Sequence, residues 1–199
     1  MKVFKITKKN FDKKIKIAIK AIEERKVIVC PTDTVYGLLC DAMNKKLVER
    51  LFKIKKRLES KPIPIFVKDI EMAKKLAFVD KKKEKFLKTV WPGKVTIVLK
   101  RKQNCGLPKI IFNKEKTIGL RIPNYNLINT LLKKLSIPLT ATSANISGKP
   151  ASTEIKEIIR QFKNEKLKPD LILDAGNLKF SLPSIVLNLT GKKIKILRM

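Results

Sequence analysis

Residues 27–44 read VIVCPTDTVYGLLCDAMN, and no lysine or arginine interrupts them. Three β-branched residues and a cysteine, Val27–Cys30, predict a short buried strand. Pro31 stops the run, and Thr32, Asp33, Thr34 and Tyr36 then bring three hydroxyls and a carboxylate together ahead of Gly37. Polar groups gathered at a strand end are where α/β sheets usually present their ligands. Thr and Tyr can hold a small polar molecule, and Gly37 lets the backbone approach it closely. The plain alternative is a strand-to-helix turn in which Thr and Asp act as caps.

Working outward, residues 10–26 carry Ile15, Ala18, Ile19 and Ile22 on one helical face, with Asn10 placed to cap. Helices are also predicted over 44–56, over 69–77 after Asp69, over 124–135, and over 152–163 after Ser152. The charge run DKKKEKFLK at 80–88 reads as a solvated helix face. Strands are predicted at Ile63–Val67, Val95–Leu99, Thr117–Ile122, Pro138–Thr142, Leu171–Leu173, Ile185–Leu189 and Ile194–Leu197. Strands and helices interleave, and no repeat or linker divides them. The expected fold is therefore α/β: one domain over 1–199 with an open, twisted, mixed sheet flanked by helices.

The chain has 199 residues, 44% hydrophobic and 32% charged, which is the composition of a globular protein. Its 47 Lys and Arg against 17 Asp and Glu give a formal charge of +30. Basic surfaces attract polyanions, but lysine drift across solvated helices explains most of this excess equally well. Only seven of the basic residues are arginines, and residues 117–132 hold one of them, Arg121, and no lysine. With no histidine, a Ser-His-Asp triad, a His-ligated zinc and imidazole acid–base chemistry are excluded. Cys30, Cys40 and Cys105 lack CxxC spacing, and Cys30 and Cys40 read as reduced core thiols in a cytoplasmic protein without a membrane span.

Four further segments can carry chemistry. Lys55-Lys56-Arg57 ends a helix and, with Lys61, reads either as a phosphate clamp or as cations favoured by the helix dipole. Arg121 sits inside the apolar strand TIGLRIP, where a guanidinium needs an anionic partner. An internal carboxylate or a ligand carboxylate or phosphate would serve, and the scarcity of acids favours the ligand. ATSANISGKP, residues 141–150, is a donor-rich loop after a strand, fit for a nucleotide or for an ordinary turn. Ser184 heads one late strand, and Arg198 ends the last without a nearby charge partner.

In this order, PTDTVYGL, the Lys-x-Arg of KKRLESKP, WPGKVTIVL, TIGLRIP, ATSANISGKP and PSIV resemble the YrdC-like family of threonylcarbamoyl-AMP synthases in its short form. The resemblance runs over residues 10–198. It implies an open α/β sheet enclosing a concave basic cavity. There ATP (as its Mg²⁺ complex), L-threonine and bicarbonate give threonylcarbamoyl-AMP and pyrophosphate, with no tightly bound prosthetic group. It places Thr32, Thr34, Tyr36, Arg121, Ala141 and Ser184 around threonine, with Arg121 on the carboxylate. It assigns Lys55, Arg57, Lys61, Thr117, Ser143, Asn145 and Arg198 to ATP, and no protein residue to a metal. The product passes to a tRNA-modification complex, and weak direct contact with tRNA is a further expectation. Leu58, Phe66, Ile185 and Asn188 depart from the family pattern, which often has Pro, His, Thr and Asp there.

Two other classes compete. A non-catalytic reader of double-stranded RNA or tRNA would use the +30 charge, but stacking aromatics are scarce at 6% of residues. A carbamoyl-transfer domain of hydrogenase maturation would come with zinc-finger cysteines, which are missing.

Overall fold

The computed structural model describes residues 1–112, 116–191 and 193–199. Its first half runs β1 (Lys2–Lys5), α1 (Phe11–Glu23), β2 (Ile28–Cys30), β3 (Gly37–Leu39), α2 (Lys45–Lys55), β4 (Ile65–Phe66), α3 (Ile70–Leu76) and α4 (Lys81–Val90). The second runs β5 (Val95–Lys100), β6 (Thr117–Arg121), α5 (Asn126–Leu135), β7 (Leu139–Thr140), β8 (Thr142–Ser143), α6 (Ile155–Lys163), β9 (Leu171–Asp174), β10 (Ile185–Asn188) and β11 (Lys195–Arg198). The α/β class read from the interleaved pattern is the one observed.

The helices follow their sequence signals. In α1 the buried side chains are Ile15, Ala18, Ala21 and Ile22, a stripe at three- and four-residue spacing that packs with Leu127, Ile128 and Leu131 of α5. Asp69 and Asp80 cap α3 and α4 by accepting from the backbone N–H of Met72 and Lys83. Asn10 does not cap α1: its Oδ1 accepts from the Thr7 N–H, and its amide donates back to the Lys5 carbonyl. Ser152 accepts from the Glu154 N–H, and the helix behind it starts only at Ile155.

Hydrogen bonding splits the expected sheet in two. One sheet has the order β1-β9-β2-β3-β8 and the other β11-β10-β5-β6-β4-β7, each with parallel and antiparallel pairs. The predicted strand over 138–142 is where they meet. Its first half, β7, pairs with β4, while its second half, β8, pairs with β3. Ala141 lies at the break, donating its N–H to the Pro64 carbonyl. A single bridge between Asp41 and Leu139 holds the corner from the other side.

Residues 31–36 are not a strand-to-helix turn. They form the loop of an antiparallel hairpin, because the apolar run Gly37-Leu38-Leu39 continues as strand β3. A buried run this short has no period that separates strand from turn. The exposed, lysine-rich edge strand β1 also gave no apolar signal, and only its parallel pairing to β9 defines it.

Candidate active site

The corner between the sheets encloses a cavity of about 630 Å³. Strand periodicity builds its floor. Successive side chains alternate faces, so Thr96 and Val98 of β5, Thr117, Gly119 and Arg121 of β6, and Val186 and Asn188 of β10 all point one way. The 32–37 loop forms one wall, Arg57 to Pro64 another, and Ala141 to Ser143 the corner, with Ser184, Leu197 and Arg198 at the rim. Gly119 keeps the floor open: a Cβ there would meet Thr96 Cγ2 at 3.3 Å.

Eleven of the thirteen residues expected at the site line this cavity: Thr32, Thr34, Tyr36, Arg57, Lys61, Thr117, Arg121, Ala141, Ser143, Ser184 and Arg198. Several are engaged by the protein itself. Thr32 Oγ1 donates to the Val35 carbonyl at 2.6 Å and accepts from the Thr34 N–H at 3.1 Å. Its proton is thus committed, so in the 3.1 Å contact between the two hydroxyls Thr34 is the donor. Thr34 Oγ1 keeps its lone pairs for a ligand N–H. The fully buried Tyr36 donates to the Gly176 carbonyl at 2.6 Å and accepts from the Ala175 N–H at 3.1 Å. Its hydroxyl therefore ties the hairpin loop to residues 175–176, and burial pushes its pKa up.

Lys55 and Asn145 sit one layer behind the lining. Lys55 is 2% exposed. Its Nζ donates to the Ser143 carbonyl at 2.6 Å, to Asn145 Oδ1 at 2.6 Å and to the Asn145 carbonyl at 3.0 Å. An ammonium has three protons, so these partners saturate it, and the expected phosphate contact gives way to support of the 143–145 loop. Burial, with Arg57 as a secondary cause, pulls its pKa down to about 7. Asn145 Oδ1 also accepts from Ser143 Oγ at 2.6 Å, and its amide donates to the carbonyls of Ile146 and Lys149. Ser143 is the member of this group that reaches the cavity.

Two guanidiniums are fixed by backbone carbonyls. Arg57, half-buried, donates through Nε to Lys61 O and through Nη2 to Pro62 O, each at 2.9 Å. Arg198 donates through Nε and Nη2 to the Ser184 carbonyl, and Nη2 also reaches Ser184 Oγ at 3.1 Å. Ser184 Oγ lies 2.9 Å from Thr96 Oγ1.

Arg121 is paired internally: of the two partners the sequence left open, the carboxylate of Asp33 is present, although the scarcity of acids favoured a ligand. Its Nη2 lies 2.7 Å from Asp33 Oδ1, and the two side chains are 5% and 6% exposed. Asp33 and Arg121 lie 88 residues apart, so no local pattern links them. Thr96, Val98, Gly119 and Val186 were also missed as lining residues. For Gly119 and Val186 the signal was present, since they are in phase with Thr117 and Arg121 on β6 and with Ser184 at the head of β10. Strand β5 carried no expected site residue, and Thr96 and Val98 join the floor through its pairing with β6 and β10. Among the described residues, none of those lining the cavity is acidic.

The result is an α/β protein with a cavity lined by fixed guanidiniums and by hydroxyls, groups whose chemistry suits anions. The chain belongs to the Sua5/YciO/YrdC family: that family's model, described as Telomere recombination, matches residues 20–199. A Methanocaldococcus jannaschii protein provisionally named a threonylcarbamoyl-AMP synthase is 35% identical over all of this chain and 91% of its own length. The threonylcarbamoyl-AMP synthase of Pyrococcus abyssi is 33% identical over 89% of this chain, which spans only 51% of that relative. The crystal structure of P. abyssi Sua5 complexed with L-threonine superposes with a TM-score of 0.90 at 31% identity, over all of this chain and 57% of that one. Escherichia coli YciO superposes at 0.85 and 27% identity, over all of this chain and 95% of that one.

Proposed function

We propose that this chain is a threonylcarbamoyl-AMP synthase, a nucleotidyltransferase acting on L-threonine, bicarbonate and ATP. The observation that carries this is the arrangement of three arginines in one cavity. Arg121 is held buried in the floor, while Arg57 and Arg198 stand elsewhere around the cavity with orientations set by backbone carbonyls. That distribution supports a substrate carboxylate at Arg121 and phosphates at the other two. Similarity to a protein solved with L-threonine supports the same assignment.

In this reading the neutral threonine amine attacks the bicarbonate carbon. The bond from that carbon to its hydroxyl breaks, the hydroxide leaves with one amine proton as water, and a carbamate forms. A carbamate oxygen then attacks the α-phosphorus of ATP. The bond from that phosphorus to the bridging oxygen breaks, and pyrophosphate departs. Such transfers need alignment and charge stabilisation more than a protein base, which suits a chain without histidine. Thr34 Oγ1 accepts from the amine. Thr117 and Ser143 lie against the nucleotide, and Lys61 adds charge at the phosphates. Mg²⁺ enters with ATP as part of the substrate. With no acidic side chain in the described lining, the protein oxygens offered to it are hydroxyls and carbonyls. The product then passes to the tRNA-modification machinery.

The test is pyrophosphate release with ATP, Mg²⁺ and bicarbonate, with threonine present or omitted. Threonine-dependent release is expected; release independent of threonine, or none, overturns the reading. Arg57→Ala should lower kcat/KM for ATP by about 10- to 10²-fold, the worth of one charged hydrogen bond. Threonine affinity measured without ATP should not change.

A further inference from the structure

The buried ion pair joins the two halves of the site. Asp33 belongs to the hairpin loop between β2 and β3 of one sheet, and Arg121 ends β6 of the other. Asp33 Oδ1 accepts from Arg121 Nη2 at 2.7 Å, and Oδ2 accepts from the Asn124 N–H at 2.9 Å. Both carboxylate oxygens are thus used by the segment 121–124. Arg121 Nε donates to the Gly93 carbonyl at 2.8 Å, and the guanidinium lies 5.8 Å from the centre of the Phe66 ring. Its plane is fixed from three directions, and the remaining N–H groups are those a ligand carboxylate can take.

The neighbour of Asp33 is Thr34, whose hydroxyl lone pairs serve the amine in the proposed reaction. One carboxylate therefore sets both the orientation of the carboxylate receptor and its position relative to the amine receptor. We infer that Asp33 is a positioning residue for the amino-acid substrate, acting through Arg121. Among the described residues it has no hydrogen bond to Arg57 or Arg198, whose geometry is set by the carbonyls of Lys61, Pro62 and Ser184. The inference rests on the synthase reading and adds that the two substrates depend on separate supports.

Asp33→Asn is the direct test, because the amide cannot accept at both oxygen positions. In pyrophosphate release the threonine KM should rise about tenfold or more, on the scale of one lost charged hydrogen bond, while the ATP KM stays within about twofold. A general loosening of the fold would raise both together, and that outcome overturns the role. So does an unchanged threonine KM in a folded variant. If Asp33→Asn does not fold, Asp33→Glu keeps the charge and shifts the carboxylate by one methylene. It should again raise the threonine KM alone, and wild-type constants for both substrates would count against the role. Wild-type protein lacking threonine-dependent turnover overturns the synthase reading and this role together. Wild-type turnover with an unaffected variant overturns the role alone.

Discussion

Arg121→Ala is expected to reduce threonine-dependent pyrophosphate release by on the order of 10² to 10³, the usual loss when a preorganised electrostatic contact is removed. From the sequence this would be purely a functional change in a surviving fold. The buried partner alters that expectation. With the guanidinium gone, Asp33 is left desolvated beside the Asn124 N–H alone, and breaking a buried pair in this way costs about 3–5 kcal/mol. Against a total stability of about 5–15 kcal/mol, that is a large share. Arg121→Lys separates the two effects. It keeps the charge near Asp33 but loses the planar fork that addresses Gly93, Asp33 and a substrate together. Thermal melts should show Arg121→Lys closer to wild type than Arg121→Ala, with both variants poorly active. Normal release from folded Arg121→Ala would remove Arg121 from the carboxylate site.

Lys55→Met is expected to cost on the order of 10² in turnover without removing a substrate contact. Methionine fills much of the same volume but leaves the Ser143 and Asn145 carbonyls without their donor, at about 1–3 kcal/mol for each group. The 143–145 loop then shifts, and misplacement by about an ångström is enough for a loss of that size. The variant also tests the buried amine. Its folded pKa of about 7 lies below the ordinary lysine value of 10.5. Between those two pH values the unfolded chain holds this proton while the folded protein releases it, so folding costs more as pH falls through the window. Stability should climb as pH rises from 7 toward 10.5, and remain flat with respect to this group outside that range. Subtracting the melting curves of Lys55→Met removes the contribution of the other lysines. Equal pH slopes for the two proteins would mean that Lys55 keeps its charge when buried.

Much of the fold could be read from the sequence because its elements carry local signals. The α1 stripe, the Asp69 cap and the alternation in β5 and β6 depend on residues within a turn or two of each other. The division into two sheets could not be read, since it depends on one residue, Ala141, at which pairing moves from one strand to another. The site was legible as a set of residue types at strand ends, and the cavity gathers most of them. Roles were harder. Lys55 and Asn145 looked like ligand contacts because polar side chains near a loop suit either task, and only the bond lengths to Ser143 distinguish them. Asp33 was noted with Thr32 and Thr34 as part of a polar loop, but without its pairing to Arg121. Its partner is distant in sequence, and a carboxylate is not what a search for phosphate-binding groups selects.

The corner at Ala141 has a mechanical meaning. Two sheets joined along one short seam resemble an open book whose spine is residues 139–143, and the cavity is lined from both pages. A molecule gripping only Arg121 holds the inner margin, where Asp33 already staples one page to the other. A molecule reaching Arg57, Ser143 and Arg198 presses on the spine and on the outer edge. In the proposed reaction threonine would therefore meet a margin already sewn to the facing page, and ATP the edge where the pages are joined along the spine alone.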